Sequence, residues 1–295
     1  MTYPDAFSKC HPAVCFLFFL GAIGFGVVIL HPAYLLAGLL GAAIYYLLLK
    51  GRKGLKTVAL LLPVAAIVAF INPLFNTQGS RILFRLFGRP YTLEALLYGA
   101  AIAVMFLVMM LWFGCYNDVM TSDKFTSLFG NLIPALSLLL VMVLRMIPAL
   151  IRKTRQITGA RMSIGKGSAG TNRQKAESGM VVLSALASWA LEGSVVTADS
   201  MRSRGYGTAR RTSFQIYTMK SDDWTLLGLQ LILAAAVLVS ALTGGSTASF
   251  TPELQIAPMK GFNIAGLAAY CAYLLIPSAL HLREALLWHI SRSRI

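Results

Sequence analysis

Two arginines lie close to glycines in a chain that carries few charges, and they offer the first recognisable chemistry. Arg161 lies in GARMSIG, four residues before Gly165, and Arg204 lies in RSRGYG, directly before Gly205. Glycine readily adopts the left-handed conformation that closes many helices, because it has no Cβ to clash with the backbone. The pattern predicts two helices that each end near an arginine.

Two roles are open for these arginines. In the first, each cation caps its helix, because positive charge in the last turn interacts favourably with the helix dipole, by about 0.3–1 kcal/mol. In the second, each helix end presents its guanidinium to a partner, because the rigid fork binds carboxylates and carbonyls together. Lysine would serve as a cap almost as well but would lose the fork, so a lysine substitution separates the two roles.

Other residues that could do chemistry are scattered. The four cysteines form no CxxC pair and the four histidines do not cluster, so no metal site is expected. His11 and His31 each precede a proline, which is typical of span boundaries. The segment GKGSAGTN (165–172) lacks the GxxxxGK pattern of a nucleotide-binding loop and predicts a flexible linker. With only 11 acidic residues, a membrane-embedded hydrolase is poorly supported. We therefore expect no enzyme activity and no cofactor.

The composition indicates an integral membrane protein. Apolar residues make up 57% of the 295 residues and charged residues 13%, against about 25% charged residues in ordinary soluble domains. The net charge is +15, and half of the 26 Lys and Arg residues lie between Arg145 and Lys220, with only Glu177, Glu192 and Asp199 as acids there. Such bias in a soluble chain would suggest nucleic acid, but basic segments beside spans are typical of cytoplasmic loops that contact anionic lipid. We expect a lipid bilayer as partner and no nucleic acid.

Six apolar segments are candidates to cross about 30 Å of hydrocarbon. They are 13–30, 33–49, 57–71, 93–113, 226–242 and 264–282. The loop KGRKGLK (50–56) and the region 151–220 are both basic and are both expected in the cytoplasm, so an even number of spans must separate them. A seventh apolar segment, 128–144, is therefore expected to lie at the membrane interface. Both termini are expected to be cytoplasmic.

The predicted fold class is an all-α integral membrane protein with about six transmembrane helices and a cytoplasmic insert of long amphipathic helices. The insert is predicted to contain one helix from about 136 to 162 and a second from about 174 to 204. The apolar face of the second helix is too broad for exposure to water, so it must pack on something. The predicted division is N-terminal membrane helices at 1–127, the insert at 128–220 and C-terminal membrane helices at 221–295.

Polar residues near membrane depth have local explanations. Asn72-Pro73 predicts a helix-ending turn, and Glu94, two residues after Thr92, suits an N-terminal capping role. RILFRLFGRP (81–90) has arginines four apart and predicts an amphipathic segment at the membrane surface. The main alternative function is a stand-alone secondary transporter, or a channel, with a basic regulatory loop. That alternative predicts an internal repeat with matching broken spans, which the sequence does not show.

Several segments together resemble one family, the T component of energy-coupling-factor (ECF) transporters, which are ABC-type vitamin importers of prokaryotes. The similarity covers about residues 11–220. The motifs that carry it are FINPLFNTQGSRILF (70–84), YTLEALLYG (91–99), NDVMTSDKFTSLFG (117–130), LSLLLVMVLRMIPALIRKTRQITGAR (136–161) and ADSMRSRGYG (198–207).

The resemblance implies a non-catalytic scaffold in a prokaryotic cell membrane. In that family two coupling helices end in short Ala-Arg-Gly-like motifs, and each motif docks on one of two cytoplasmic ABC-type ATPases, which bind the ATP. The corresponding positions here are Ala160, Arg161 and Met162 in the first motif and Ser203, Arg204 and Gly205 in the second. Neither motif matches completely, since methionine ends the first and serine begins the second. The arginine is present in both.

The resemblance also implies a small substrate-binding membrane subunit, whose movement in the bilayer would release a vitamin or another micronutrient inside the cell. Faces of the two coupling helices would hold that subunit, and small or flexible apolar residues suit a surface that repacks against several partners. The candidate contact residues are Met142, Met146, Ala185, Ala187 and Met201. Ordinary helix packing is the alternative role for each of them.

Overall fold

The computed structural model describes residues 6–76, 79, 81–86, 89–130, 134–165, 171–206, 217–244, 246–249, 255–256 and 261–292. The chain divides into two compact units, Met1–Phe125 with Tyr217–Ile295 and, separately, Thr126–Ile216. The first unit is named the bundle and the second the hairpin. Most of the linker predicted at 165–172 lies outside the described residues.

Helices dominate the described chain, and a short 3₁₀ turn at Phe7–Lys9 precedes them. In chain order they are α1 (Pro12–Val28), α2 (Pro32–Lys50), α3 (Arg52–Phe75), α4 (Leu93–Val119), α5 (Ser122–Gly130), α6 (Pro134–Ser163), α7 (Asn172–Ser203), α8 (Ser221–Leu242) and α9 (Phe262–Arg292). Two short antiparallel strand pairs accompany them: β1 (Ile82–Leu86) with β2 (Arg89–Thr92), and β3 (Ala248–Ser249) with β4 (Gln255–Ile256). The surface segment predicted at 81–90 thus forms most of the first strand pair.

Six of the described helices are long and apolar enough to cross a membrane, namely α2, α3, α4, α7, α8 and α9. The chain is therefore a predominantly helical, multi-pass membrane protein. Five of these helices coincide with predicted spans, whereas α1, the first predicted span, is apolar but only 17 residues long. Helix α7 also qualifies by length and composition, because Glu192 is the only charged residue between Glu177 and Asp199. Its sequence was predicted to form part of a non-spanning insert.

Aromatic rings from α1, α2, α4 and α9, together with Phe7 of the 3₁₀ turn, form the core of the bundle. Phe18 stacks on Tyr273 with ring centroids 5.1 Å apart and packs edge-on against Trp112 at 5.5 Å. Phe7 packs edge-on against Phe18 at 5.2 Å and against Tyr45 at 6.5 Å. All five rings are buried. Such pairs contribute about 0.5–1.5 kcal/mol each beyond the burial of their area, so this cluster ties the four helices together.

Two glycines permit close helix packing in the bundle. A Cβ on Gly21 of α1 would overlap the hydroxyl of Tyr273, which donates a hydrogen bond to the Phe18 carbonyl at 3.0 Å. A Cβ on Gly266 of α9 would overlap the side chain of Ser240 on α8. Small residues at such crossings let helix backbones approach closely in membranes. Both glycines are therefore required by the packing of α9.

The His-Pro pairs mark helix starts, as predicted. The Nδ1 atom of His11 accepts a hydrogen bond from the Ala13 N–H at 3.2 Å, and that of His31 accepts one from Ala33 at 3.3 Å. Proline follows each histidine at the first helical position, where a missing N–H costs nothing. Asn72-Pro73, in contrast, does not end its helix, because α3 continues to Phe75.

The start of α4 explains the buried carboxylate of Glu94. Thr92 is the N-cap, and its side chain accepts a hydrogen bond from the Ala95 N–H at 3.4 Å. Glu94 is 4% exposed, and both of its carboxylate oxygens accept from the backbone N–H of Arg81 at 3.2 Å. Glu94 therefore connects the chain before β1 to the first turn of α4, whereas the N-cap of α4 is Thr92 and not Glu94.

Candidate functional site

The end of α6 carries the first predicted docking motif. The helix runs to Ser163, and Gly165 follows with a φ angle of 71°. The Gly165 N–H donates to the Met162 carbonyl at 3.0 Å, which corresponds to the inner bond of a Schellman cap. The prediction that Gly165 closes this helix is confirmed.

The end of α7 forms a complete Schellman motif. Arg204 is the capping residue, and Gly205 follows with a φ angle of 76°. The Gly205 N–H donates to the Arg202 carbonyl at 3.0 Å, and the Tyr206 N–H donates to the Met201 carbonyl at 3.1 Å. These are the two bonds that define the motif. The prediction that Gly205 stops the second helix is also confirmed.

The two arginines have different surroundings. Arg161 is half-buried, and its Nη2 donates to the hydroxyl of Ser178 on α7 at 3.2 Å. Its Nε atom is buried and has no hydrogen-bond partner within the described residues. The side chain of Arg204 is exposed. Arg161 therefore contributes to the contact between the two helices, whereas Arg204 is directly accessible.

The neighbours of both arginines are exposed. Ala160 and Met162 are exposed on either side of Arg161, and Ser203 and Gly205 flank Arg204. The second motif is thus accessible at the end of a long helix, where the guanidinium of Arg204 can bind carboxylates and backbone carbonyls. The first motif exposes Ala160 and Met162 beside the half-buried Arg161. Docking on an ATPase stays a prediction.

Helices α6 and α7 pack against each other in an antiparallel arrangement. The Nζ atom of Lys153 lies 5.7 Å from the centroid of the Trp189 ring, and the contact between Arg161 and Ser178 lies nearer the connecting segment. Half-buried residues recur every three or four positions along both helices. They are Met146, Leu150, Thr154, Ile157 and Arg161 on α6 and Ser178, Val182, Leu186, Trp189 and Gly193 on α7.

A second apolar face of α7 has no cover among the described residues. None of the residues of this helix is buried. Exposed apolar residues follow one another at intervals of three or four on the side away from α6. They are Met180, Leu183, Ala187, Leu191 and Val195, which are named the outer stripe of α7. Contiguous exposed apolar surface marks contact with lipid or with another protein.

The structure does not bring the five predicted subunit-contact residues together. Met142 is exposed on α6, but Met146 is half-buried in the face that packs on α7. Ala187 belongs to the outer stripe, and Ala185 is exposed on a different side of the helix, because two residues along a helix are about 200° apart around its axis. Met201 is half-buried near the end of α7.

Met180 and Leu183 belong to the outer stripe but were not among the residues predicted to contact the substrate-binding subunit. Their spacing to Ala187, Leu191 and Val195 was the signal that could have revealed them.

Both connections to the hairpin begin at the same end of the bundle. Lys124, before the first connection, donates to the Ser8 carbonyl. Asp223, after the second connection, is buried and accepts from the His11 backbone N–H at 3.0 Å. The segment from Ser8 to His11 therefore contacts the chain on either side of the hairpin. Ser8, His11, Lys124 and Asp223 are named the clasp.

The same end of the bundle carries the basic loop between α2 and α3. Lys50, the last residue of α2, pairs with Asp118 near the end of α4, with 3.2 Å between Nζ and the carboxylate. Lys9 pairs with Glu284 of α9. Arg52 and the residues that follow it begin α3. This end therefore carries the basic residues Lys50, Arg52 and Lys53.

Within the described residues, no group of three or more His, Cys, Asp or Glu side chains could hold a metal ion.

Comparison of the chain with known protein families, and with curated proteins, finds no match. The resemblance to ECF T components thus depends on the sequence motifs themselves.

Proposed function

We propose that this chain is the transmembrane scaffold of an ECF-type ABC importer. It would link two cytoplasmic ATPases to a small substrate-binding membrane subunit that takes up a vitamin or another micronutrient. The observation that supports this most is the pair of long helices α6 and α7, each of which has an arginine in or directly after its last turn and is closed by a left-handed glycine. The scaffold itself would be non-catalytic, and ATP would bind to its partners.

The proposed orientation follows from charge. The bundle end with Lys50, Arg52 and Lys53 belongs in the cytoplasm by the positive-inside trend. Both connections to the hairpin begin at that end. If α7 crossed the membrane, the segment with Arg173 and Lys175 would lie outside, against the same trend. The hairpin is therefore proposed to lie on the cytoplasmic side, and both chain termini with it.

The proposed mechanism assigns different surfaces to different partners. Closure of the ATPases would displace the C-terminal ends of α6 and α7, where Arg161 and Arg204 lie. Because α6 and α7 contact each other at Lys153 with Trp189 and at Arg161 with Ser178, they would move together, and the outer stripe of α7 would carry the substrate-binding subunit. Substrate choice would then belong to that subunit.

The docking role is tested by arginine substitution in the complete complex. Arg161→Ala and Arg204→Ala are each expected to weaken ATPase co-purification and transport, and the double variant is expected to abolish transport almost completely. Arg204→Lys should also be defective, because lysine lacks the fork. The matched control is Arg202→Ala, which removes an exposed cation two residues away and should leave transport close to normal.

Normal transport by the double variant would refute docking. Normal transport by Arg204→Lys would leave only the capping role for that residue. Arg161→Ala also removes the contact with Ser178, so Arg204 gives the cleaner result.

A further inference from the structure

Helix α6 carries only positive charge. Its basic residues are Arg145, Arg152, Lys153, Arg155 and Arg161, and the helix contains no acidic residue. Helix α7, which packs on it, has charges of both signs, and its acidic residues are Glu177, Glu192 and Asp199. The charge of α6 is therefore not balanced within its own length.

The basic residues of α6 divide between two faces. Lys153 lies over the Trp189 ring and Arg161 contacts Ser178, so these two belong to the side that packs on α7. At about 100° per residue, Arg145, Arg152 and Arg155 fall within roughly 80° of one another, on the opposite side. All three are exposed. They are named the basic face of α6.

Exposed isoleucines border this face. Ile147 is 47% exposed and Ile151 is 48% exposed, and both lie between the basic face and the side that packs on α7. Arginines next to an exposed apolar strip are typical of helices that lie in the membrane interface, with cations at the headgroups and apolar side chains just below them. A nucleic acid would neutralise the arginines but leave the isoleucines in water.

We propose that the basic face of α6 binds the headgroups of anionic membrane lipids, with Ile147 and Ile151 inserted beside them. The charge complementarity is direct, because the face presents three guanidinium groups and no carboxylate. The chain is a multi-pass membrane protein, so lipid headgroups are available to it as a partner. This binding does not require the ATPases or the substrate-binding subunit, and it would hold whether or not the chain is an ECF scaffold.

The test uses the purified full chain in uncharged detergent with phosphatidylcholine, titrated with fluorescent phosphatidylglycerol or, in parallel, fluorescent phosphatidylcholine. The wild type is expected to prefer phosphatidylglycerol, and added salt should weaken that preference. The variant R145Q/R152Q/R155Q should bind phosphatidylglycerol on the order of tenfold to a hundredfold more weakly.

Two matched variants keep the result interpretable. R173Q/K175Q/R202Q removes as much exposed charge from α7 and should change the affinity by less than about twofold. R145K/R152K/R155K keeps the charge and should retain binding, because lipid phosphate accepts either cation. Thermal unfolding should show that all the variants remain folded.

Equal binding of the two lipids by the wild type would overturn the proposal. So would equal losses in the α6 and α7 glutamine variants. If the α6 glutamine variant lost a co-purifying protein but bound phosphatidylglycerol normally, the basic face would be a protein-docking surface and the proposal would be wrong.

Discussion

The bundle and the hairpin differ in how far their apolar side chains are buried. In the bundle, Trp112 and Phe18 are 0% exposed, inside an aromatic cluster contributed by four helices. In the hairpin, α7 has no buried residue, and Leu191 is 70% exposed. The bundle thus has a closed core beneath exposed apolar residues such as Leu60 and Phe75, whereas α7 has exposed apolar residues and no buried ones.

Glycines show the same contrast. Gly21 and Gly266 of the bundle lie where a Cβ would overlap a neighbouring helix. Gly179 and Gly193 of α7 have open space at the corresponding position. Gly21 and Gly266 are therefore fixed by internal packing, whereas Gly179 and Gly193 face no such constraint within the described chain.

The largest expected difference between the two units comes from truncating one large apolar side chain in each. Trp112→Ala should lower the free energy of unfolding by about 3–5 kcal/mol, because it leaves a cavity in a closed core. Leu191→Ala on the outer stripe should change it by less than about 0.5 kcal/mol. Circular dichroism during thermal unfolding in detergent measures both. Similar losses would show that the outer stripe is part of a closed core.

Adding one methyl group gives a second, smaller test. Gly266→Ala should destabilise the bundle by about 1–3 kcal/mol, because the new Cβ meets the side chain of Ser240. Gly179→Ala should stabilise α7 by about 0.5–1 kcal/mol, because alanine favours a helix and the space is open. The same unfolding measurement compares them, and a stabilising Gly266→Ala would contradict the packing described for α8 and α9.

The smallest expected effect is local to the hairpin. Gly205→Ala should cost on the order of 1 kcal/mol at the end of α7, because its φ angle of 76° is unfavourable for alanine. The fraying should appear as faster trypsin cleavage at Arg202 and Arg204. Gly159→Ala, inside α6 with open space at its Cβ, is the control and should not speed cleavage. Unchanged cleavage in Gly205→Ala would mean that the cap does not hold this helix end.

Features that depend on neighbouring residues could be predicted from the sequence. The left-handed glycines at 165 and 205 follow from local helix-ending chemistry, and His11 and His31 mark helix starts because proline fits the first helical position. Long apolar runs predicted five of the six helices that qualify as spans.

Features made by distant residues could not be predicted in this way. The clasp joins Ser8 to Lys124 and His11 to Asp223, pairs that no sequence pattern links. The contact of Arg161 with Ser178 depends on how α6 and α7 pair. For the same reason Met146, predicted as a partner contact, proved to lie in the face between the two helices. A spanning helix and a helix along the membrane surface have the same hydropathy when, as in α7, Glu192 is the only charged residue between Glu177 and Asp199.

The most direct test of the scaffold account is a mild-detergent pull-down of the full chain from its native membrane, with identification of the proteins that accompany it. The account predicts two ABC-type ATPases and one or more small membrane proteins with the wild type, and loss of the ATPases with the double variant Arg161→Ala and Arg204→Ala. Isolation of the wild type alone, or only as a homo-oligomer, would contradict the account and favour a stand-alone transporter.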